Sequence, residues 1–291
     1  MIVITAPTGQ IGSAVLGRLL KGEDPIRVIV RDPSRLDAFG RGRVQVIQGS
    51  HQDPAVLDDA LTGADSLFWL VPPSVAAATA EEHYLGFARP AAEAIRRHDV
   101  ARVVAVSSAG HGWPTRAGVL SAAFAMDDEI EKAGVAYRAL SMPFFMENLL
   151  RQLSAIRDHG AFSLAYSAAR PLASVAIRDI VVIAAALLAD RSWDGQENVP
   201  VFGPDRLNPN EMAAVLSDVL GRNVAFRQQS LADVEAALMR RGASEGVVRD
   251  VTEATVALND GIYDADQAAS TPCPTDFRTW CCDVMRPAAL A

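Results

Sequence analysis

Residues Met1–Gly12 read MIVITAPTGQIG, and the fold turns on them. Ile2, Val3 and Ile4 form a short apolar, β-branched run, which suits a strand buried on both faces. A glycine-bearing turn follows, and then Ile11, Val15, Leu16, Leu19 and Leu20 recur at helical spacing. Strand, turn and helix in that order make a phosphate cradle. The helix N-terminus offers unpaired N–H groups and a positive dipole end to a pyrophosphate. Gly9 lets the backbone approach the anion, and Gly12 lets the helix pack close to the strand. Thr8, Gln10 and Ile11 complete the loop as candidate cofactor contacts. The first glycine of a G-x-x-G-x-x-G loop is missing, because Ala6 stands there. An ordinary tight turn is the alternative reading of the same glycines.

The 291 residues suffice for one large α/β unit, or for a core domain with a smaller lobe. Half of them are hydrophobic, so a sizeable core can be buried. A net charge of −8 argues against nucleic acid or an anionic membrane as partner. Of 27 basic residues only Lys21 and Lys132 are lysines, a fact that matters below. The apolar helical run Ile180–Ala189 falls far short of the ~20 residues that span a bilayer. Residues 2–5 read as core strand rather than signal peptide, and Cys273, Cys281 and Cys282 lack both metal-ligand spacing and a disulfide pattern. A cytoplasmic protein is expected.

Apolar runs then alternate with helical patterns. Strands are expected at Arg27–Val30, Val44–Ile47, Ser66–Val71, Val103–Ser107 and Val135–Leu140, with helices at Pro54–Leu61, Glu81–His98 and Phe124–Lys132. Asp53-Pro54 reads as a cap followed by proline at the first helical position. Such alternation specifies a Rossmann-type, doubly wound parallel sheet, whose ligands lie at the carboxyl ends of its strands. After Leu140 the pattern changes. Ser141–Pro143 should break the strand, and Phe144, Phe145, Met146, Leu149 and Leu150 should open a helix. Ile177–Leu188 reads as another helix and Val199–Phe202 as a late strand. Helices follow at Asn210–Leu220 and Leu231–Arg240, with a short strand at Asn223–Arg227 between them. The expected organisation is a dinucleotide-binding domain over residues 1–140, completed by 171–203. A smaller, mostly helical substrate lobe takes 141–170 and 204–291.

The assembled motifs resemble the NmrA-like branch of the atypical short-chain dehydrogenase/reductases. They are TAPTGQIG at Thr5–Gly12, VRDPSR at Val30–Arg35 and GADSLFWLVPPS at Gly63–Ser74. VVAVSSAG at Val103–Gly110, GVAYRALSMPFFMENLL at Gly134–Leu150 and FGPDRLNPNEMAAVLSDVLGR at Phe202–Arg222 complete the set. The resemblance covers nearly the whole chain. It implies NADP(H) or NAD(H) over the first domain and substrate beneath the C-terminal lobe. It also implies cofactor contacts at Ser50, His51, Val71, Pro72, Pro73 and Pro143. The chain departs from the pattern at Ala6, at Gly49-Ser50-His51 where a Gly-Asp pair is common, and at Met142 where an arginine often precedes the proline.

Arg31 lies nineteen residues after Gly12, just past the second strand, where the adenosine ribose should sit. A guanidinium there binds a 2′-phosphate, whereas an acid would hold the 2′-hydroxyl of NAD. Asp32 follows at once, so the residues alone give a mixed signal; the resemblance puts arginine in the slot, with Arg35 as helper. NADP(H) is therefore preferred over NAD(H). The alternative is a solvated charge at a strand end.

The most informative feature is an absence. Typical members of the wider superfamily carry tyrosine and lysine at i and i+4, where lysine helps the phenol donate a proton. Here the tyrosines, at 84, 137, 166 and 263, are followed four places on by Ala88, Ser141, Arg170 and Gln267. No such pair exists. Ser107 could bond the nicotinamide amide, Ser108 could donate to a substrate oxygen, and His111 could relay a proton near neutral pH. Phe144, Phe145 and Met146, with Asn148, could border a flat ligand, and Tyr84, Trp113 and Phe87 are further pocket candidates. Each also has a plain structural reading, as strand end, exposed loop or core.

These features lead to an expected NAD(P)H-dependent reductase of a quinone or conjugated aromatic ketone, such as an aromatic polyketide tailoring step. Hydride addition to a quinone leaves a phenolate-like anion whose conjugate acid has a pKa of ~10, far less demanding of a positioned acid than an alkoxide. The rival is a non-catalytic NADP(H)-sensing regulator of the NmrA type. The expected partner is a small flat aromatic substrate, bound by a monomer or homodimer. No metal is expected, because the five histidines are scattered.

Overall fold

The computed structural model describes residues 1–36 and 42–291. Its strands in chain order are β1 (Ile2–Ile4), β2 (Ile26–Val30), β3 (Gln45–Gln48), β4 (Ser66–Trp69), β5 (Arg102–Ser108) and β6 (Ala136–Met142). They continue with β7 (Phe144–Phe145), β8 (Ala161–Leu164), β9 (Ser174–Val175), β10 (Gln196–Pro200) and β11 (Ala225–Gln228). Seven of them form one sheet in the order β10-β6-β5-β4-β1-β2-β3. The pairings β3–β2, β2–β1, β1–β4 and β4–β5 are all parallel, with Ile2 opposite both Ile26 and Ser66. The chain winds outward from β1 to β3, then returns to place β4 on the other side of β1. That reversal is the topological switch point of a Rossmann-type sheet.

The chain divides into two compact units. One comprises Met1–Ser108, Ser121–Ser141 and Ile180–Val199; the other comprises Ala109–Leu120, Met142–Asp179 and Pro200–Ala291. In the first, β1, β2, β4 and β6 are buried along their whole lengths. Their apolar side chains pack against Leu57, Leu61, Ala88, Ala91, Ile95, Met126 and Ile130 of the covering helices. Caps fix where those helices start. Asp53 accepts from the Ala55 N–H at 2.9 Å ahead of helix Pro54–Leu61, and Thr79 accepts from the Glu82 N–H at 3.1 Å ahead of helix Ala80–Arg97. The buried Arg27 guanidinium donates to the Ala60 and Thr62 carbonyls, which ties β2 to the end of the first of these helices.

Several boundaries differ from expectation. The helix expected at Phe124–Lys132 begins five residues earlier, at Val119. The late strand lies at Gln196–Pro200 rather than Val199–Phe202. Ser141–Met142 extends β6 instead of ending it, because Pro143 interrupts a single ladder position while residues on both sides stay extended. Phe144–Phe145 is therefore strand β7, paired in parallel with β9, and the first helical turn after it is the 3₁₀ segment Met146–Gln152. The second unit is also less purely helical than expected, since β8 and β11 pair in parallel from Ala161 and Ala225 onward. Its core gathers Met146, Phe162, Leu216, Phe277, Trp280 and Met285. Among the described residues, no helix is long and apolar enough to cross a membrane.

The turn after β1 explains both the retained glycine and the missing one. A Cβ on Gly12 would lie 2.2 Å from the Ala6 carbonyl oxygen, so helix Gln10–Leu19 reaches the strand only without a side chain there. Ala6 itself has φ of 48°, the left-handed region that the absent glycine would occupy freely. The loop keeps its shape at the cost of strain. Ala6→Gly is expected to raise stability by up to about 1 kcal/mol. Gly12→Ala should lower it by about 1–3 kcal/mol through overpacking. Denaturant titrations of both variants check this, and an unchanged midpoint for Gly12→Ala would remove the close-packing constraint.

Candidate functional site

The carboxyl ends of β1, β2, β3 and β4 converge on a cavity of about 380 Å³ in the first unit. Its walls come from four successive turns: Ala6–Gly9, Ile29–Arg31 with Arg35, Gly49–His51, and Pro72–Ser74. His83 and Phe87, from helix Ala80–Arg97, close one side. Thr5 holds the β1 and β4 turns together: its hydroxyl donates to the Phe68 and Leu70 carbonyls and accepts from the Leu70 N–H at 2.8 Å. Helix Gln10–Leu19 begins at Gly9 with no side-chain cap and no acid in its first turn. Its first N–H groups are thus left for an anion at the cavity rim.

Charge around the cavity is unevenly distributed. Arg31 and Arg35 are exposed and line it. Asp32 does not; it caps the 3₁₀ turn Pro33–Arg35, accepting from the Ser34 N–H at 3.0 Å and the Ser34 hydroxyl at 2.6 Å. The mixed signal of Arg31-Asp32 thus resolves into a basic rim and a local cap. His51 is 8% exposed, edge-on to Trp69 at 5.2 Å and tilted against Phe87 at 4.6 Å. Burial lowers its pKa to about 4, with Arg31 and His83 adding to the fall and a hydrogen bond to the Leu70 backbone opposing it. Its Nε2 is buried without a hydrogen-bond partner among the described residues.

A family model described as NAD(P)H-binding matches residues 7–186. The chain belongs to this NAD(P)H-binding family. Among curated proteins it is 32% identical, over 83% of its length and 81% of the relative's, to (4-alkanoyl-5-oxo-2,5-dihydrofuran-3-yl)methyl phosphate reductase of Streptomyces griseus subsp. griseus. It is 27% identical, over 93% and 92%, to quinone oxidoreductase 2 of Escherichia coli. The crystal structure of NADPH-dependent quinone oxidoreductase from Escherichia coli, complexed with NADPH, shares the fold at a TM-score of 0.78, with 24% identity and 96% and 97% of the two chains covered. These relatives place the chain among NAD(P)H-dependent oxidoreductases.

The residues present fit a dinucleotide of this NAD(P)H-binding family on two independent grounds. The close approach at Gly12 and the uncapped helix start form a phosphate cradle, and the His51 Nε2 is a buried polar atom left for a ligand to satisfy. Of the residues singled out in the sequence, Thr8, Gly9, Arg31, Arg35, Ser50, His51, Pro72, Pro73 and Phe87 share the cavity. Gln10, Ile11 and Gly12 lie behind it in the first helical turn, and Val71 is buried in the core. His83 and Ser74 were not anticipated. Their place follows from helix Ala80–Arg97 and the Pro72-Pro73 turn, which local sequence does not aim.

The remaining candidates lie elsewhere. Ser107, near the end of β5, is buried, and its hydroxyl donates to the Asp127 carboxylate rather than standing free for an amide. Ser108 is the buried last residue of the same strand. Tyr84 is half-buried and packs on the first unit's core. In the second unit, His111 is exposed between Gly110 and Gly112, both with φ near 90°, and Trp113 follows it half-buried. Pro143 is buried, while Phe144, Phe145 and Asn148 are half-buried. Met146 corrects the expectation of an apolar wall: it is fully buried in that unit's core and presents no face to a ligand. Glu147 serves structure, accepting from the Ile177 N–H at 3.0 Å and the Trp280 indole N–H at 3.1 Å.

A neutral His51 has a measurable signature. Nuclear magnetic resonance titration should find its ring uncharged down to about pH 4, against 6.5 for an ordinary imidazole. Since folding lowers this pKa, the linked stability is intact above about pH 6.5 and is lost as pH falls toward 4. A midpoint near 6.5 would show that the ring is not sequestered.

Proposed function

We propose that the chain is an NADPH-dependent reductase of flat, conjugated acceptors of the quinone kind. The observation that carries this reading is that its tyrosines do not form the usual proton-donating pair. Tyr137 is fully buried with its hydroxyl on Asp127 at 2.5 Å, and Tyr166 donates to the Pro171 carbonyl at 2.7 Å. None of the four precedes a lysine by one helical turn. An aliphatic ketone would yield a strongly basic alkoxide without that acid, whereas a conjugated acceptor yields an anion that is far easier to protonate. The named relatives point the same way: one is a quinone oxidoreductase, and the other acts on an oxo-dihydrofuran that bears an alkanoyl group.

In this reading the first unit carries the dinucleotide. The uncapped N–H groups at the start of helix Gln10–Leu19 would hold the pyrophosphate, His51 would meet the adenosine, and Arg31 with Arg35 would grip the 2′-phosphate. The bound cofactor supplies a hydride. Phe144 and Phe145, both half-buried, are the proposed apolar ring surface for the acceptor.

Calorimetry should show NADPH binding ten- to a hundredfold more tightly than NADH, as a charge-assisted hydrogen bond of about 1.5–3 kcal/mol requires. Arg31→Ala should erase most of that difference. Equal affinities in the unaltered protein would overturn the NADP assignment. NADPH oxidation should be accelerated by naphthoquinone-like compounds far more than by aliphatic ketones, with Phe145→Ala mainly raising KM. Firm NADPH binding with no turnover on any conjugated acceptor would favour the sensor instead.

A further inference from the structure

The first unit contains a buried cluster that the cofactor cavity does not use. Along β5, Val103 and Ala105 face the core, so the period of two carries Ser107 to the same side of the sheet. Helix Val119–Glu131 packs there through Met126 and Ile130, and between them it presents Asp127. Only 2% of Asp127 is exposed. One carboxyl oxygen accepts from the Ser107 hydroxyl, and the other accepts from the Tyr137 hydroxyl at 2.5 Å. Among the described residues no cation offsets it; the charged groups that bear on it are Asp128 and Glu131 of its own helix, both acidic. Tyr137 on β6 and Tyr84 on helix Ala80–Arg97 are the titratable groups that face it from other elements, and Asp127 raises the pKa of both.

A carboxyl group placed in an apolar core without a basic partner is costly in its charged form. Burial pushes Asp127 up to about 7, with repulsion from Glu131 and Asp128 adding to the rise and the two hydroxyl bonds only partly opposing it. Near neutral pH it therefore holds a proton that it can give up. Ser107 connects it to the carboxyl end of the sheet, where ligands of such folds react.

We propose that Asp127 and Ser107 form a proton relay, in which the Ser107 hydroxyl protonates the reduced acceptor and the Asp127 carboxyl reprotonates Ser107. This rests on the reductase reading. The acceptor, having gained one hydride and with it two electrons in total, is left as an oxyanion. The Ser107 O–H bond breaks as its proton moves to that oxygen, and the Asp127 O–H bond breaks as its proton moves to Ser107 Oγ. Asp127 ends as a carboxylate that accepts from both hydroxyls, the arrangement present in the structure. Water returns the proton through Ser107 once product has left. Tyr137 positions the carboxyl by holding its second oxygen. Ser107 is the group that touches the substrate, and Asp127 acts through it.

The test compares the unaltered protein with Asp127→Asn and Ser107→Ala, using NADPH and a naphthoquinone. Each variant should bind NADPH within about twofold of the unaltered protein by fluorescence titration. Each should lose on the order of 10²-fold in kcat, the lower end for a general acid. The double variant should lose no more than either single one, since the two groups act in one chain. The unaltered enzyme should show kcat falling above about pH 7 together with a solvent isotope effect, and both signatures should vanish in Asp127→Asn. Infrared difference spectra of the unaltered protein without cofactor should show a buried carboxyl titrating near pH 7, a readout that stands even if a variant fails to fold. A carboxyl titrating near 4, or an Asp127→Asn enzyme with unchanged kcat and pH profile, overturns the relay while leaving the reductase intact. A protein that binds NADPH and turns over no conjugated acceptor overturns the reductase reading instead.

Discussion

The approach of helix Gln10–Leu19 to the β1 turn is the constraint on which the rest of the first unit depends. Gly12 packs against the Ala6 carbonyl at a distance that admits no Cβ, and Ala6 accepts a left-handed backbone to make the turn. That contact sets where the helix begins, and so where its uncapped N–H groups lie. Thr5, one residue before the strained position, ties the same turn to the end of β4. The two strands on either side of β1 then bring their own turns to the same rim. A cavity at the switch point results from this one close packing and from the parallel register of β1 with β2 and β4.

The fold was legible wherever burial on both faces left a continuous apolar run. Ile2–Ile4, Arg27–Val30 and Ser66–Trp69 announce themselves in this way, and Asp53-Pro54 marks a helix start by local chemistry alone. Legibility failed where tertiary pairing decides. Phe144–Phe145 has helical spacing with the residues after it, yet β9 captures it as a strand. β8 is short and carries no alternation, so only its pairing with β11 makes it a strand. Helix Glu245–Asp260 mixes charged and small residues, and its buried positions, Val247, Val248, Asp250, Ala254 and Ala257, include an acid.

The site divides along the same line. Residues that follow directly from a strand end, such as Thr8, Gly9, Arg31 and His51, meet in one cavity, because parallel strands deliver their turns to one edge. Groups delivered from another layer did not show. His83 depends on how helix Ala80–Arg97 lies, and Asp127 on how helix Val119–Glu131 packs under β5. A signal for Asp127 was present all the same. Within its helix it follows the buried Met126 and stands one turn after Ala123, an acid on the core face of an otherwise apolar stripe. An acid in that phase calls for hydroxyl partners, and Ser107 and Tyr137 are those partners.

His51 and Asp127 are both sequestered in the first unit, and burial drives both toward their neutral forms. One loses its proton well below neutrality; the other keeps its proton up to about pH 7. Formal charge at the cavity is therefore carried by the exposed Arg31 and Arg35 rather than by His51. The same economy bears on the choice of acceptor. A carboxyl that gives its proton near pH 7 is acid enough for an anion whose conjugate acid has a pKa of ~10, since that transfer runs downhill. Such an acid needs no lysine beside it. It also meets Brønsted matching at neutral pH better than an unassisted phenol would. The absent tyrosine–lysine pair and the buried acid are thus two sides of one arrangement, in which burial of a carboxyl takes the place of a cation beside a phenol.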